Sequence, residues 1–493
     1  MVSIGLKGLR HLDQKPTLSK ANRNSFTNEY WKGVRVKFII QAAAGGISFM
    51  LLFLACSCYL YGSLYKSHQR YHNFRILAVD YDGGVIGKAL SAAYEELKRP
   101  EFPTLYFHSP EDFPTPSDVY QIVRNGHYWG AIYSTKGASD RLEAGIQGGQ
   151  AATVYNPNDA LYWVWNQQYY TTFAQSVVEA SIEQLVSAAR AAYTKINGTQ
   201  AFPYVAQSDP DAVQAFLNPI AATVANVEVD AQDSVFLFTS ISMVMPVLQQ
   251  FFFLLALNGV SREHQLYSKM SVRSSMIIRG VAGLLYTFGA ALTQAGYYWA
   301  FRDGWKVDGN QFVLTWMVLW LLMHTHFTYL DAISAITPIS RMPFAVLTWI
   351  FLNISTTISP LELQPGFYYW GICLPASNAY SVLVTIWSGG GDNRLYRALP
   401  IMFAWWIVGN LLSMAAHLRA CHLAYKFDKE QQNNKGDGES AMGMTPVGSE
   451  VTIRPHSTNE SAAHDDLQQD KTLEEQDLEQ RQIYGPSIPP PFA

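Results

Sequence analysis

Six apolar segments limit what this chain can fold into. They cover residues 38–61, 234–257, 276–301, 312–336, 342–358 and 399–417. An α-helix rises 1.5 Å per residue, so about 20 such residues cross the ~30 Å of hydrocarbon in a bilayer. Only 15% of the 493 residues are charged, against about 25% in soluble domains. Most of those charges fall between the six segments. The expected class is therefore an α-helical polytopic membrane protein with six transmembrane helices. The first segment is too long for the ~7–15-residue core of a signal peptide and lies behind 37 mostly polar residues, so it reads as an uncleaved anchor.

Basic residues set the expected orientation. Residues 1–37 carry Lys7, Arg10, Lys15, Lys20, Arg23, Lys32, Arg35 and Lys37, which places this basic N-terminal segment in the cytosol. Six crossings return the C-terminus to the cytosol. Residues 62–233 and 359–398 then lie outside. Asn197-Gly198-Thr199 is an N-glycosylation acceptor on that outer side. Residues 427–493 hold 13 acidic and 5 basic residues with few apolar ones. Too little apolar surface remains there to form a core, and residues 418–493 are expected to be a disordered cytosolic tail.

Residues 62–233 alternate short apolar runs with helical patterns, which predicts an inserted α/β extracytoplasmic domain between helices 1 and 2, with an at least partly parallel sheet. Strands are expected at 74–79, 104–107, 129–133 and 152–155, and a long helix over 159–195. The turn Asp80-Tyr81-Asp82-Gly83-Gly84 has two readings, a metal site or a strand-to-helix turn with a capping aspartate. No further oxygen ligands follow at calcium-loop spacing, which favours the turn. There is no phosphate-binding loop, no GxSxG elbow and no HExxH pattern. No catalytic residues, metal ligands or cofactor are expected, and the charge balance of -4 gives no reason to expect nucleic acid.

Ionisable and amide groups inside the spans are the candidates for function, because each is expensive at membrane depth. His324, His326 and Asp331 lie in the fourth span. His324 and Asp331 are seven apart, hence on one helix face. Gln249 and Gln250 follow Pro246 in the second. These five define a candidate polar path; the other reading is that they bond to neighbouring helices. The outer segment 359–398 is Pro-broken and aromatic, and reads as re-entrant or interfacial. Tyr368, Tyr369, Trp370, Pro375 and Trp387 are its candidate contacts to lipid headgroups or amphiphilic drugs; the other reading is a structural lid over the bundle. Cys421, just inside the sixth span, is a palmitoylation candidate or an ordinary thiol. A disulfide between Cys56 or Cys58 and Cys373 is a further option. Small residues at 42–46 and at Gly280, Gly283 and Gly289 permit close helix approach, within one bundle or between two copies.

The stretches RILAVDYDGGVIGKAL and VRNGHYWGAIYSTKGAS, then Pro365-Gly366-Phe367-Tyr368-Tyr369-Trp370-Gly371, Leu374-Pro375, Asn378-Ala379-Tyr380 and Phe403-Ala404-Trp405, resemble a fungal membrane family that includes the yeast nitrosoguanidine-resistance protein. The resemblance covers about residues 30–425. That family is distantly similar to ABC-2 type permease domains, whose nucleotide-binding partners are not encoded here. The resemblance implies a plasma-membrane protein acting in drug tolerance or lipid organisation. Its partners would be membrane lipids, amphiphilic drugs, a second copy or an unidentified protein. It implies no catalytic residues. Two functions stay open: transport of an amphiphile, drug or lipid, and a non-transport regulator of membrane lipids.

Overall fold

The computed structural model describes residues 27, 29, 32–227, 237–302, 305–338 and 341–442, with side chains as far as residue 429. Most of the described residues are helical, and among them five helices are long and apolar enough to cross a membrane. It is a multi-pass membrane protein. The described residues up to Cys56 form one compact unit and those from Ser57 onward a second.

Helix α1 (Lys32–Ser63) carries exposed apolar side chains along its length, among them Phe38, Ile40, Met50 and Leu54, a composition suited to lipid. A mixed α/β region follows. It holds β1 (Arg75–Asp80), α2 (Val85–Leu97), β2 (Thr104–His108), α3 (Pro116–Arg124), β3 (Gly130–Ser134), α4 (Ala138–Ile146), α5 (Gln150–Val154), β4 (Leu161–Asn166), α6 (Thr171–Phe173), α7 (Ala180–Ala201), α8 (Pro210–Leu217) and β5 (Ala222–Val227). The strand order is β2-β1-β3-β4-β5. β1 pairs parallel with β2 and β3, β4 runs antiparallel to β3, and β5 parallel to β4. Alternate side chains feed two cores. Ile76, Ala78, Ile132, Trp163 and Trp165 pack under α2, α4 and α7, while Leu77, Val79, Ala131 and Val164 pack under α3.

Two sequence expectations fail in this region. Residues 152–155 are not a strand: Gln150–Val154 is a single helical turn after Gly148 and Gly149, both at positive φ. The fourth strand is instead LYWVWN, inside the stretch expected to be helical. It lies next to the sheet's edge strand with both faces mostly buried, so it lacks the period-two pattern that marks a half-exposed strand. The fifth strand, ATVANV, was not anticipated.

The remaining helices are α9 (Ile241–Glu263), α10 (Leu266–Lys269), α11 (Val272–Ala300), α12 (Gly309–Ile336), α13 (Met342–Ser355), α14 (Pro375–Trp387) and α15 (Leu395–Met442). The first residues of the expected second span, 234–236, lie outside the described residues. Contacts at matched spacing fix directions. Trp406 meets His324, Gly409 approaches Thr328, and Ser413 meets Asp331, so α15 runs parallel to α12. Asn258 meets both Ser334 and Arg279, and Gln294 reaches Ser242, so α9 is parallel to α12 and antiparallel to α11. A Cβ at Gly409 would collide with Thr328. Gly409→Leu should therefore wedge this seam open, costing about 1–3 kcal/mol and lowering the melting midpoint in detergent, whereas Gly259→Leu, with open space at its Cβ position, should not.

α15 overturns the expectation of a disordered tail from residue 418. It is 48 residues long and continues to Met442. Once a span has nucleated a helix, each further residue adds a hydrogen bond at little cost, and AYKFDKEQQ is rich in good helix formers. Residues 443–493 lie outside the described residues.

Candidate functional site

Near one end of the bundle, α9, α11, α12 and α15 bring their polar side chains together. Arg279 of α11 donates from Nε to Asp331 Oδ1 of α12 at 2.9 Å, and its Nη2 reaches both that oxygen and Asn258 Oδ1 of α9. Ser413 of α15 donates to the other Asp331 oxygen. Tyr267 donates to Asn258 Oδ1 at 3.2 Å, and its ring lies 5.8 Å from the guanidinium. Arg279 and Asp331 side chains are 7% and 6% exposed, so neither charge is reached by water screening. Four helices thus converge on one ion pair. Arg279 Nη1 stays buried without a partner among the described residues.

Below this pair lies a second polar group. Ser275 Oγ is 2.8 Å from His417 Nε2, and the Cys421 thiol is 3.4 Å from the same nitrogen. Cys421 is buried, with its sulfur turned toward α11. In this position the sulfur faces the bundle, as the ordinary-thiol reading has it. All four cysteines are free, with Cys58 and Cys373 exposed; the disulfide option is corrected.

The sequence candidates fall at separate places. His324 Nδ1 accepts from Trp406 Nε1 of α15 at 3.0 Å, and His326 Nδ1 accepts from Trp349 Nε1 of α13 at 3.0 Å. An indole N–H only donates, so each histidine carries its proton on Nε2. Two residues apart on a helix, the rings face different neighbours and do not form a relay with each other. Gln249 lies beside Tyr286, whose hydroxyl donates to its backbone carbonyl at 3.5 Å. Gln250 is fully buried, and neither amide atom is hydrogen-bonded among the described residues. It lies on the same stripe of α9 as Val247 and Leu254, which pack with Trp349 and Leu374. Of the five path candidates only Asp331 belongs to the converging network. The residue missed was Arg279, an arginine one to two turns inside the third span. An unbalanced charge there, opposite an aspartate about one and a half turns from the end of the next span, was the available signal.

The aromatic segment after α13 enters the bundle. Trp405 lies ten residues into α15, about 15 Å along its axis, and donates to the Cys373 carbonyl at 2.6 Å. From that depth α14 climbs back until Trp387 Nε1 donates to Thr315 near the start of α12. The irregular backbone between is satisfied by side chains: Asn378 Nδ2 serves the Ile372 and Leu374 carbonyls, Ser377 those of Gly371 and Leu374, and Asn353 Oδ1 accepts from Ala376 N. Non-helical backbone at such depth persists only when it is paired in this way. Tyr369 and Trp370 are exposed, as is Phe367, which the sequence reading passed over. Tyr368, Pro375 and Trp387 are buried and do not stand at an exposed boundary; Tyr368 donates to the Tyr59 carbonyl. Among the small residues, Gly283 packs on Phe327, while Gly280 and Gly289 have open space beside them.

The aspartates after β1 bond within their own turn. Asp80 Oδ1 accepts from the backbone of Asp82 and Gly83 at 3.1 and 3.0 Å and from Ser134; Asp82 accepts from Gly84 N and from Ser139. Asp80 and Asp82 therefore serve the turn, but neither caps α2: its N-cap is Gly84, without a side-chain cap, and Ile86 N in its first turn donates to Ser139 Oγ at 3.0 Å.

The bundle and the α/β region define a helical multi-pass membrane protein with a buried ion pair shared by four helices. Residues 46–411 match the family model described as "Protein of unknown function (DUF3533)", so the chain belongs to that family. No solved structure matches it.

Proposed function

We propose that this chain is a permease-like protein without an ATPase of its own, which moves an amphiphile or lipid across the membrane and so confers drug tolerance. In this reading six helices cross the bilayer, the α/β domain lies outside, both termini are cytosolic, and the membrane is the plasma membrane. The parallel run of α12 and α15 supports the six crossings. The chain must return between them, and α13 with the segment before α14 supplies that return, although α13 spans only about 21 Å. The similarity to the nitrosoguanidine-resistance family supports the cellular role.

The observation that carries the reading is the Arg279–Asp331 pair. A buried charge pair at membrane depth is costly, and function is the usual reason for keeping one. Four helices share it, so a change of partner at Asp331 would shift all of them. Without an ATPase domain, the energy would come from an ion gradient, downhill flow or a partner.

The alternative is a regulator of lipid organisation. The exposed Phe367, Tyr369 and Trp370 favour it, since such rings suit a headgroup boundary. Release of a labelled amphiphile from vesicles holding the purified chain separates the two. Transport predicts release by the wild type and at least a tenfold loss in Asp331→Asn at equal incorporation. No release with or without ATP, together with altered leaflet composition in deletion cells, would favour the regulator.

A further inference from the structure

The mixed α/β region contains a groove of about 230 Å³ between α4 and α7, with the first residue of α2 at its rim. Leu142 and Ile146 form an apolar floor, and Tyr193, Gln200, Glu143 and the exposed Tyr204 supply rings and polar groups around it. A groove with an apolar floor and aromatic rings, bordered by amide and carboxylate groups, suits a pyranose, which has one apolar face and hydroxyls at its edge. One residue in this lining can itself carry such a sugar. Asn197 is the first residue of Asn197-Gly198-Thr199, and its Nδ2 donates to Tyr193 Oη at 3.1 Å. Tyr193 is buried in the same groove. The nitrogen that would bear a glycan is therefore turned along α7 into the groove, not out to solvent.

We infer that the groove between α4 and α7 seats the innermost N-acetylhexosamine of a glycan on Asn197, so that the sugar becomes part of the packing of the domain. The inference rests on the outer placement of the α/β domain proposed above. The sugar arrives from a lipid diphosphate-linked oligosaccharide. The Nδ2–C1 bond forms as the C1–O bond to the diphosphate breaks, the lipid diphosphate leaves, and one amide proton is lost to base. The second Nδ2 hydrogen remains to donate to Tyr193. Attachment precedes closure of α7, because an acceptor turned into a groove is poorly presented after folding. Once seated, the ring covers Leu142 and Ile146, ties α7 to α4, and its first linkage is shielded from amidases.

The test uses full-length chain from a secretory-pathway host. Thr199→Ala removes the acceptor and keeps Asn197; Thr199→Ser keeps both. Thr199 is exposed on α7, where alanine is the better helix former, so any loss of stability runs against intrinsic propensity. Ala151→Asn, which makes residues 151–153 an acceptor on α5, is the control for placement. The expected results are a glycan at Asn197, release by peptide amidase from the native protein at least tenfold slower than from position 151, and a melting midpoint several degrees lower for Thr199→Ala than for Thr199→Ser. Equal release rates with equal midpoints would overturn the seat. So would a glycan at 151 with Asn197 bare, and in that case the outer placement survives. No glycan at either position removes both the placement and the seat.

Discussion

Replacing Arg279 by methionine should cost about 3–5 kcal/mol of stability, because it leaves the Asp331 carboxylate buried and unpaired. In size-exclusion profiles and melts of the detergent-solubilised protein this should appear as loss of most of the folded population. Asn258 would lose the Nη2 donor and Ser413 would face an uncompensated carboxylate. The double variant Arg279→Met with Asp331→Leu should regain the wild-type profile, since exchanging a whole buried pair for apolar groups of similar volume is often neutral or stabilising by about 1–4 kcal/mol. That recovery makes the functional question answerable. Transport predicts a double variant that is folded, abundant and without drug tolerance. A folded double variant with full tolerance would show that the pair only holds helices together, and the permease reading would lose its main support.

The histidines provide the contrast. His324→Phe or His326→Phe removes an acceptor but keeps a ring of similar size, leaving one indole N–H buried and unpaired. That costs about 1–3 kcal/mol, with no effect on charge balance inside the bundle. A loss of tolerance in these variants that exceeds their loss of folded protein would return the histidines to the candidate path.

The spans were legible because hydrocarbon thickness imposes a length and a composition that any local window displays. What decides the site was not. His324 and Asp331 stand out as polar letters in an apolar run, yet sequence alone does not show that each faces α15 while His326 faces α13. Arg279 was overlooked because it sits close to an end of its span, where a long basic side chain usually snorkels to the interface; its pairing with Asp331 depends on α11 and α12 lying antiparallel. In the α/β domain β1, β2 and β3 follow the familiar strand–turn–helix rhythm. β4 does not. LYWVWN is buried on both sides and is followed by polar residues, so its pattern carries no period, and its pairing with β3 and β5 identifies it as a strand. The aromatic segment after α13 reads in sequence as re-entrant or interfacial, and the letters alone do not show that Trp387 and Tyr368 spend their polar groups on Thr315 and on the Tyr59 carbonyl.

Tyr170→Ala should free the α/β domain from its seat on the bundle. The loop after β4 places Tyr169 and Tyr170 against α14 and the end of α13. Tyr170 N donates to Tyr380 Oη at 3.1 Å, while Tyr170 Oη donates to the Thr356 carbonyl at 3.2 Å. Its ring packs edge-on to Tyr380. Burial pushes the Tyr170 phenol well up from its ordinary value, so it remains a protonated donor across the accessible pH range. Tyr169 beside it accepts from Arg394 at 3.0 Å, and Arg394 in turn holds Asp392 at 3.1 Å. Burial also raises the Asp392 carboxyl, with Arg394 opposing that shift. The raised folded-state value means that the ionised form costs stability as pH climbs from the acid range, so Asp392→Asn should be tolerated best at neutral pH. Tyr170 itself is held at φ +50°, a conformation that a bulky residue keeps only when its contacts outweigh the strain. Truncation to alanine removes those contacts and retains the strain. The expected loss is about 3–5 kcal/mol, as for other large aromatic residues cut to alanine, and Tyr170→Phe should lose less, about 1–3 kcal/mol for the unpaired carbonyl. Limited proteolysis of the solubilised chain reads the effect directly. Tyr170→Ala should speed cleavage within residues 62–227 many-fold while α11 and α12 stay protected. Unchanged cleavage there would mean that the seat is held by the Arg124–Gly389 and Arg70–Leu363 contacts without help from the tyrosine.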